Sequence, residues 1–297
     1  MLQFEPTTLK HKELFTKAMW EAGAYTAELS FAGCYIWTHK YKHQLCLWEG
    51  SLLTRCIIDG VSVYLLPVGG DVKEAVKRLQ EDAADMSSPL RFRGLTRAMA
   101  DELDAMFPDC FAFEESRDSA DYLYCYDDLL NLPGKKYHGK RNFINRFLQS
   151  YEGRWQYERI SAQNINDIWA FQDLWCRKND CASSLTLQEE NTAIALLLYS
   201  LDRLDAVGGA LRLDGRIVAF TCGTLISDGV LDVHVEKADY EVPGAYQMIH
   251  REFLAHEWQG IRLVNREEDM GLEGLRKAKL SYHPCDIALK YNAVWKG

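Results

Sequence analysis

Carboxylates, an amide and bases crowd one stretch of this chain, "NREEDMGLEGLRKAKLSYHP" at residues 265–284. An amine attacks an ester carbonyl only after losing a proton, and a carboxylate can take that proton. Asn265, Glu268 and Asp269 are therefore candidates to flank a reaction centre, with Glu268 or Asp269 positioning or deprotonating an acceptor. Arg276 and Lys279, three residues apart, share one side of a helix, while Lys277 lies off it. Such a basic pair suits a phosphate, a carboxylate or a terminal nucleotide. The same order of charges also has a plainer use. Acids at a helix start and bases near its end complement the macrodipole and stabilise a helix without any substrate.

A second stretch, "KKYHGKRNFINRF", is the densest basic cluster in the chain: Lys135, Lys136, Lys140, Arg141 and Arg146, with Tyr137, His138 and Phe143 among them. Cations interleaved with aromatics suit a phosphate backbone and exposed bases. A solvated linker helix on an acidic protein is the alternative. In a third stretch, "LDVHVEKADY", Asp232, His234 and Glu236 alternate and so face one side of a strand. His234 is a candidate base there. A metal site would need a further ligand and none is expected; a polar exposed strand face is the favoured reading.

These groups need elements to hold them. "DVKEAVKRLQEDAADM" reads as an amphipathic helix capped by Asp71, and "TRAMADELDAMFP" as one capped by Thr96. "HQLCLWEG", "SLLTRCIIDG" and "VSVYLLPVG" read as strands, and "FAFEESRDSADYLYCYDDLLNL" as a strand pair. Residues 207–239 read as a meander turning at Asp214-Gly215 and Asp228-Gly229. "GAYQMIHREFLAHEW" is a helix, "IRLVNRE" a strand, "LEGLRKAKLSYH" a helix and "CDIALKYNAVW" a last strand. The order strand, loop, helix, proline, strand occurs in both halves, which points to a duplication joined near Pro133-Gly134. The division expected is 1–133 and 134–297, the second half carrying the basic junction helix.

Composition bounds the function. Of 297 residues, 47% are hydrophobic and 26% charged, as in a globular protein with a large core. A net charge of −9 argues against general nucleic-acid coating but leaves room for one local basic patch. Glu5 and Lys10 stand where the apolar core of a signal peptide would be, and no apolar run is long enough to span a bilayer. The nine cysteines form no CxxC pair. Reduced thiols in a cytoplasmic protein are expected.

"GKKYHGKRNFINRF" followed downstream by "NREEDMGLEGLRKAKLSYHP" resembles the DUF2156 family, which is similar to the C-terminal catalytic region of phosphatidylglycerol lysyltransferases. The resemblance covers nearly the whole chain. It implies an α/β fold of two tandem GNAT-like (acyl-CoA N-acyltransferase-like) domains, each a twisted mixed sheet flanked by helices, as in the Fem aminoacyl transferases. It also implies transfer of an acyl group, foremost an aminoacyl group from aminoacyl-tRNA, to an amine or hydroxyl. In that frame the tRNA acceptor end is a partner, a small molecule or peptide is the acceptor, and no cofactor is required. Acetyl-CoA is the alternative cosubstrate, and a non-catalytic ligand-binding module the other rival. Acetyl-CoA-dependent GNAT enzymes carry a Q/R-x-x-G-x-G/A loop. Here the frame is "EVPGAY", with anionic Glu241 first and bulky Tyr246 last, a departure that weakens the case for CoA and leaves Tyr246 as a substrate contact. The first half carries "RGLTRAM" in place of "REEDMG", so its pocket is expected to be vestigial.

Overall fold

The computed structural model describes residues 2–297. In chain order the first elements are β1 (Glu5–Pro6), α1 (Lys12–Glu21), α2 (Phe31–Ile36), α3 (Thr38–Tyr41), β2 (Gln44–Trp48), β3 (Ser51–Ile58) and β4 (Val61–Tyr64). Then come α4 (Val72–Asp85), β5 (Arg91–Leu95), α5 (Arg97–Met106), β6 (Phe111–Cys125), α6 (Tyr126–Asn131) and α7 (His138–Ser150). The middle continues with β7 (Trp155–Arg159), α8 (Ile165–Lys178), α9 (Leu185–Tyr199), α10 (Leu201–Leu204), β8 (Val207–Leu213), β9 (Arg216–Ser227) and β10 (Val230–Ala238). The chain closes with α11 (Ala245–Glu257), β11 (Leu263–Asn265), α12 (Glu273–Leu280) and β12 (Asp286–Trp295).

The caps read from sequence are in place. Asp71 Oδ1 accepts from the Glu74 amide at 3.1 Å, and Thr96 Oγ1 from the Met99 amide at 3.2 Å. Each satisfies an amide that the helix itself cannot. One expectation fails. Residues 111–125 form a single fifteen-residue strand, not a pair. Ser116 and Ser119 join their hydroxyls at 2.8 Å within continuous strand.

The chain folds into two compact units that do not follow the linear division at 133/134. One unit comprises residues up to Tyr122, Glu267–Lys279 and Asp286–Gly297; the other comprises Leu123–Arg266 and Leu280–Cys285. In the first unit the strand order is β1-β2-β3-β4-β5-β12-β6. β12 runs antiparallel to β5 and lies between it and β6, so the last strand completes the sheet of the earliest ones. Val76, Leu79 and Leu103 from α4 and α5 close over Leu53, Phe92 and Ala293 from the sheet, all essentially inaccessible. Each large apolar side chain so buried contributes roughly 1.5–3 kcal/mol. Beneath this core Lys290 on β12 reaches Asp121 on β6 at 2.7 Å and Glu28 at 2.6 Å.

In the second unit the order is β6-β11-β10-β9-β8-β7. β8, β9 and β10 form the antiparallel meander expected from the two Asp-Gly turns. β10 and β11 run parallel but pair over only three residues, Val230–Asp232 with Leu263–Asn265, after which β10 continues to Ala238 paired with β9 only. Met248, Ile249 and Phe253 of α11 are buried, as are Ile168 and Phe171 of α8. Cys176 and Cys181 are joined in a disulfide, with Cα atoms 5.0 Å apart, which corrects the expectation that all nine cysteines are thiols. The backbone explains it: past the end of α8, Asp180 adopts a left-handed φ of 50° and turns Cys181 back towards Cys176.

Candidate functional site

The loop after β11 holds the acids picked from sequence. Glu267, Met270 and Gly271 all have positive φ, so its path needs side-chain support. Asp269 supplies it. This buried carboxylate accepts from Tyr122 Oη at 2.6 Å, from Arg276 Nε at 2.8 Å and Nη2 at 2.9 Å, and from the Gly271 amide at 2.9 Å. The Arg276 guanidinium holds its carboxyl well below the usual carboxylate range. Arg276 also pairs with Asp118 at 2.6 Å. A Cβ on Gly271 would lie 2.8 Å from an Asp118 oxygen, and its φ of 73° strains any other residue, so glycine suits the turn beside this ion pair.

This geometry changes the roles assigned from sequence. Asp269 was expected to deprotonate an acceptor, yet every lone-pair direction near it already meets a donor. Arg276 was expected to hold an anion, and it holds two of the protein's own. Lys279, the other half of that basic pair, donates to the backbone carbonyls of Glu267 at 3.0 Å and Glu268 at 2.7 Å and is buried. Burial raises the Glu268 carboxyl above its ordinary value, with Lys290 opposing. The loop thus uses Asp269, Arg276 and Lys279 as fasteners.

The second unit carries a different cluster. Where β10 and β11 part, Glu236 on β10 meets Arg266, just past β11, at 2.9 Å through Oε1. Its other oxygen lies 2.9 Å from His250 Nδ1, on α11. Tyr282 stands beside them: its ring centroid is 5.1 Å from the Arg266 guanidinium and 5.6 Å from the His250 ring. Lys140 on α7 lies 3.9 Å over the same Tyr282 ring and 2.6 Å from Ser281 Oγ. Burial, with Arg266 repulsion added, lowers the Lys140 ammonium to about 8. Burial and Arg266 also lower His250, which keeps its imidazole neutral.

Of the basic stretch, then, Lys140 alone enters this cluster. Arg141 donates to the Leu132 and Gly134 carbonyls and fixes the turn into α7, and Lys136 pairs with Asp128 at 3.1 Å. His138 contacts Asn142 at 3.1 Å, and it, Lys135 and Arg146 are exposed. Tyr246 is half-buried on α11, and burial raises its phenol. Asn265 is buried at the end of β11. His234 is buried as well, 2.8 Å from Thr224 Oγ1 and 3.5 Å from Asp232. The polar row on β10 is therefore interior, not the exposed face that was favoured. His250 and Arg266 were missed from sequence. The alternation that flagged Glu236 found one member; its partners come from a helix and a strand end, with no spacing to announce them.

A family match is now decisive. Residues 21–294 match the family described as Phosphatidylglycerol lysyltransferase, C-terminal. The chain belongs to this family. A crystal structure of a conserved Bacteroides thetaiotaomicron protein of unknown function is 36% identical, with each chain covered in full and a TM-score of 0.96. L-PGS from Bacillus licheniformis shares the fold at 16% identity and a TM-score of 0.68, covering 99% of this chain and 93% of that one. A tandem GNAT protein from the clavulanic acid pathway does so at 10% identity and a TM-score of 0.52, over 99% and 98%. The fold is thus tandem GNAT-like α/β, and family and fold are those of acyltransferases. An uncharacterised Mycoplasmoides gallisepticum protein is 26% identical over 178 residues, 58% of this chain and 55% of that relative, so the match spans about half the relative's length. Among the described residues no helix is long and apolar enough to cross a membrane.

Proposed function

We propose that the protein transfers an aminoacyl group from aminoacyl-tRNA to an amine or hydroxyl acceptor, by direct attack of the acceptor on the ester. The observation that carries this reading is the start of α11. Acetyl-CoA-dependent GNAT enzymes offer backbone amides to the pyrophosphate there. Here α7 sits against it. A Cβ on Gly244, the residue preceding α11, would lie 2.6 Å from the Phe143 carbonyl and 3.0 Å from Phe147 Cβ. Glu241, at the head of the same loop, adds a negative charge already tied to Lys178. A covered, acid-flanked helix start disfavours a CoA pyrophosphate. The cluster of Glu236, Arg266, His250 and Lys140 is unaffected by that covering and supplies polar groups for an ester and an incoming amine. The exposed Lys135 and Arg146 suit the nucleic-acid end of the donor.

A thermal-shift titration tests this. Bulk aminoacylated tRNA should raise the melting temperature saturably, more than deacylated tRNA, and the rise should weaken steeply with salt. A shift with acetyl-CoA and none with tRNA would overturn the reading in favour of acetyl transfer.

A further inference from the structure

The Glu236–His250 pair leaves one atom unexplained. His250 Nδ1 faces Glu236, whose other oxygen is held by Arg266. A carboxylate beside a guanidinium accepts hydrogen bonds, so Nδ1 carries the ring hydrogen and Nε2 carries a lone pair. That Nε2 is buried and, among the described residues, has no hydrogen-bond partner. Leaving a buried acceptor unbonded is costly, and native proteins rarely keep one without use. The imidazole is only 2% exposed, and the groups around it are Glu236, Arg266, Lys140 and Tyr282. Carboxylate, imidazole and an unbonded Nε2 are the parts of an oriented general base.

We propose that His250 Nε2 is the proton acceptor of the acyl-transfer step, with Glu236 as the positioning residue that fixes its tautomer. This inference rests on the acyl-transfer reading above. The acceptor nitrogen or oxygen forms its bond to the ester carbonyl carbon while its proton passes to Nε2, directly or through one water. The tetrahedral adduct then breaks its bond to the ribose oxygen, and that oxygen takes the proton back from Nε2. The imidazole ends as it began, and nothing is oxidised or reduced. Because the ring starts neutral, it is ready to accept.

The test has two readouts on the full chain. In the first, labelled bulk aminoacyl-tRNA is supplied with ethanolamine as a probe acceptor bearing both an amine and a hydroxyl. His250→Gln should lower kcat about 10²- to 10⁴-fold with KM little changed. Glu236→Gln should move the acidic limb of the kcat pH profile. In the second, nitrogen-15 shifts of the His250 ring should report an Nδ1-protonated, neutral imidazole at pH 7. Undiminished transfer by His250→Gln, or an Nε2-protonated ring, overturns this inference alone. No transfer by the wild-type chain overturns the acyl-transfer reading, and this inference with it.

Discussion

The loop around Asp269 and the cluster around Glu236 are both built on a carboxylate that meets an arginine, and they end in opposite states. Asp269 meets four close donors, and Arg276 is shared between two acids. Around Glu236 the network stops short: His250 Nε2 lacks a partner, and Lys140 has lost enough solvation to titrate near 8. A saturated network converts charge into shape. An incomplete one keeps reactivity in hand, since its groups remain free to exchange a proton. Charge density along the sequence does not separate the two; the count of donors and acceptors does.

The contrast can be broken most directly at Asp269. Asp269→Asn should cost roughly 3 kcal/mol in urea unfolding, because it leaves Arg276 facing an uncharged amide. Unchanged stability with lost activity would return Asp269 to a catalytic role. Gly244→Ala comes next, at about 2 kcal/mol, from a left-handed φ of 89° and the contact with Phe143. If it is neutral by calorimetry, α7 does not seal the start of α11. His250→Leu should cost no more than ~1 kcal/mol, since it trades one hydrogen bond for removal of an unbonded acceptor. A larger loss in chemical denaturation would make His250 a fastener like Asp269.

The smallest effect is a pH dependence at Lys140. Its folded value, about 8, lies below the ordinary 10.5. Between those values the unfolded chain holds a proton that the folded chain has released, so stability rises with pH across that window and is flat below it. Its partial exposure screens the effect. Unfolding measured at pH 7.5 and 9.5 should show the rise in the wild type and not in Lys140→Met.

The elements were mostly legible because period and caps are local. Asp71, Thr96 and the two Asp-Gly turns act within four residues of themselves, and each does what its type suggests. The roles of charged side chains were less legible. Asp269 is satisfied in part by Tyr122 on β6, far away in sequence. His250 meets Glu236 only because a helix crosses the strand that precedes it. Arg276 and Lys279 were rightly placed on one helical side, yet their partners are Asp118 and two backbone carbonyls. Nothing in a spacing reports whether a charge has already been answered.

The place of β12 between β5 and β6 has a consequence for how the protein is made. On the ribosome β5 and β6 emerge early, each with a bare edge that β12 covers in the folded protein, and every strand of the other unit is synthesised before β12 appears. During that interval two unpaired edges wait in the crowded cell, ready to pair with whatever strand arrives. Lys290, travelling on β12, brings a cation to both Asp121 and Glu28. The first unit to begin is therefore the last to close, and a nascent chain halted before residue 286 leaves that unit's sheet with a gap between β5 and β6.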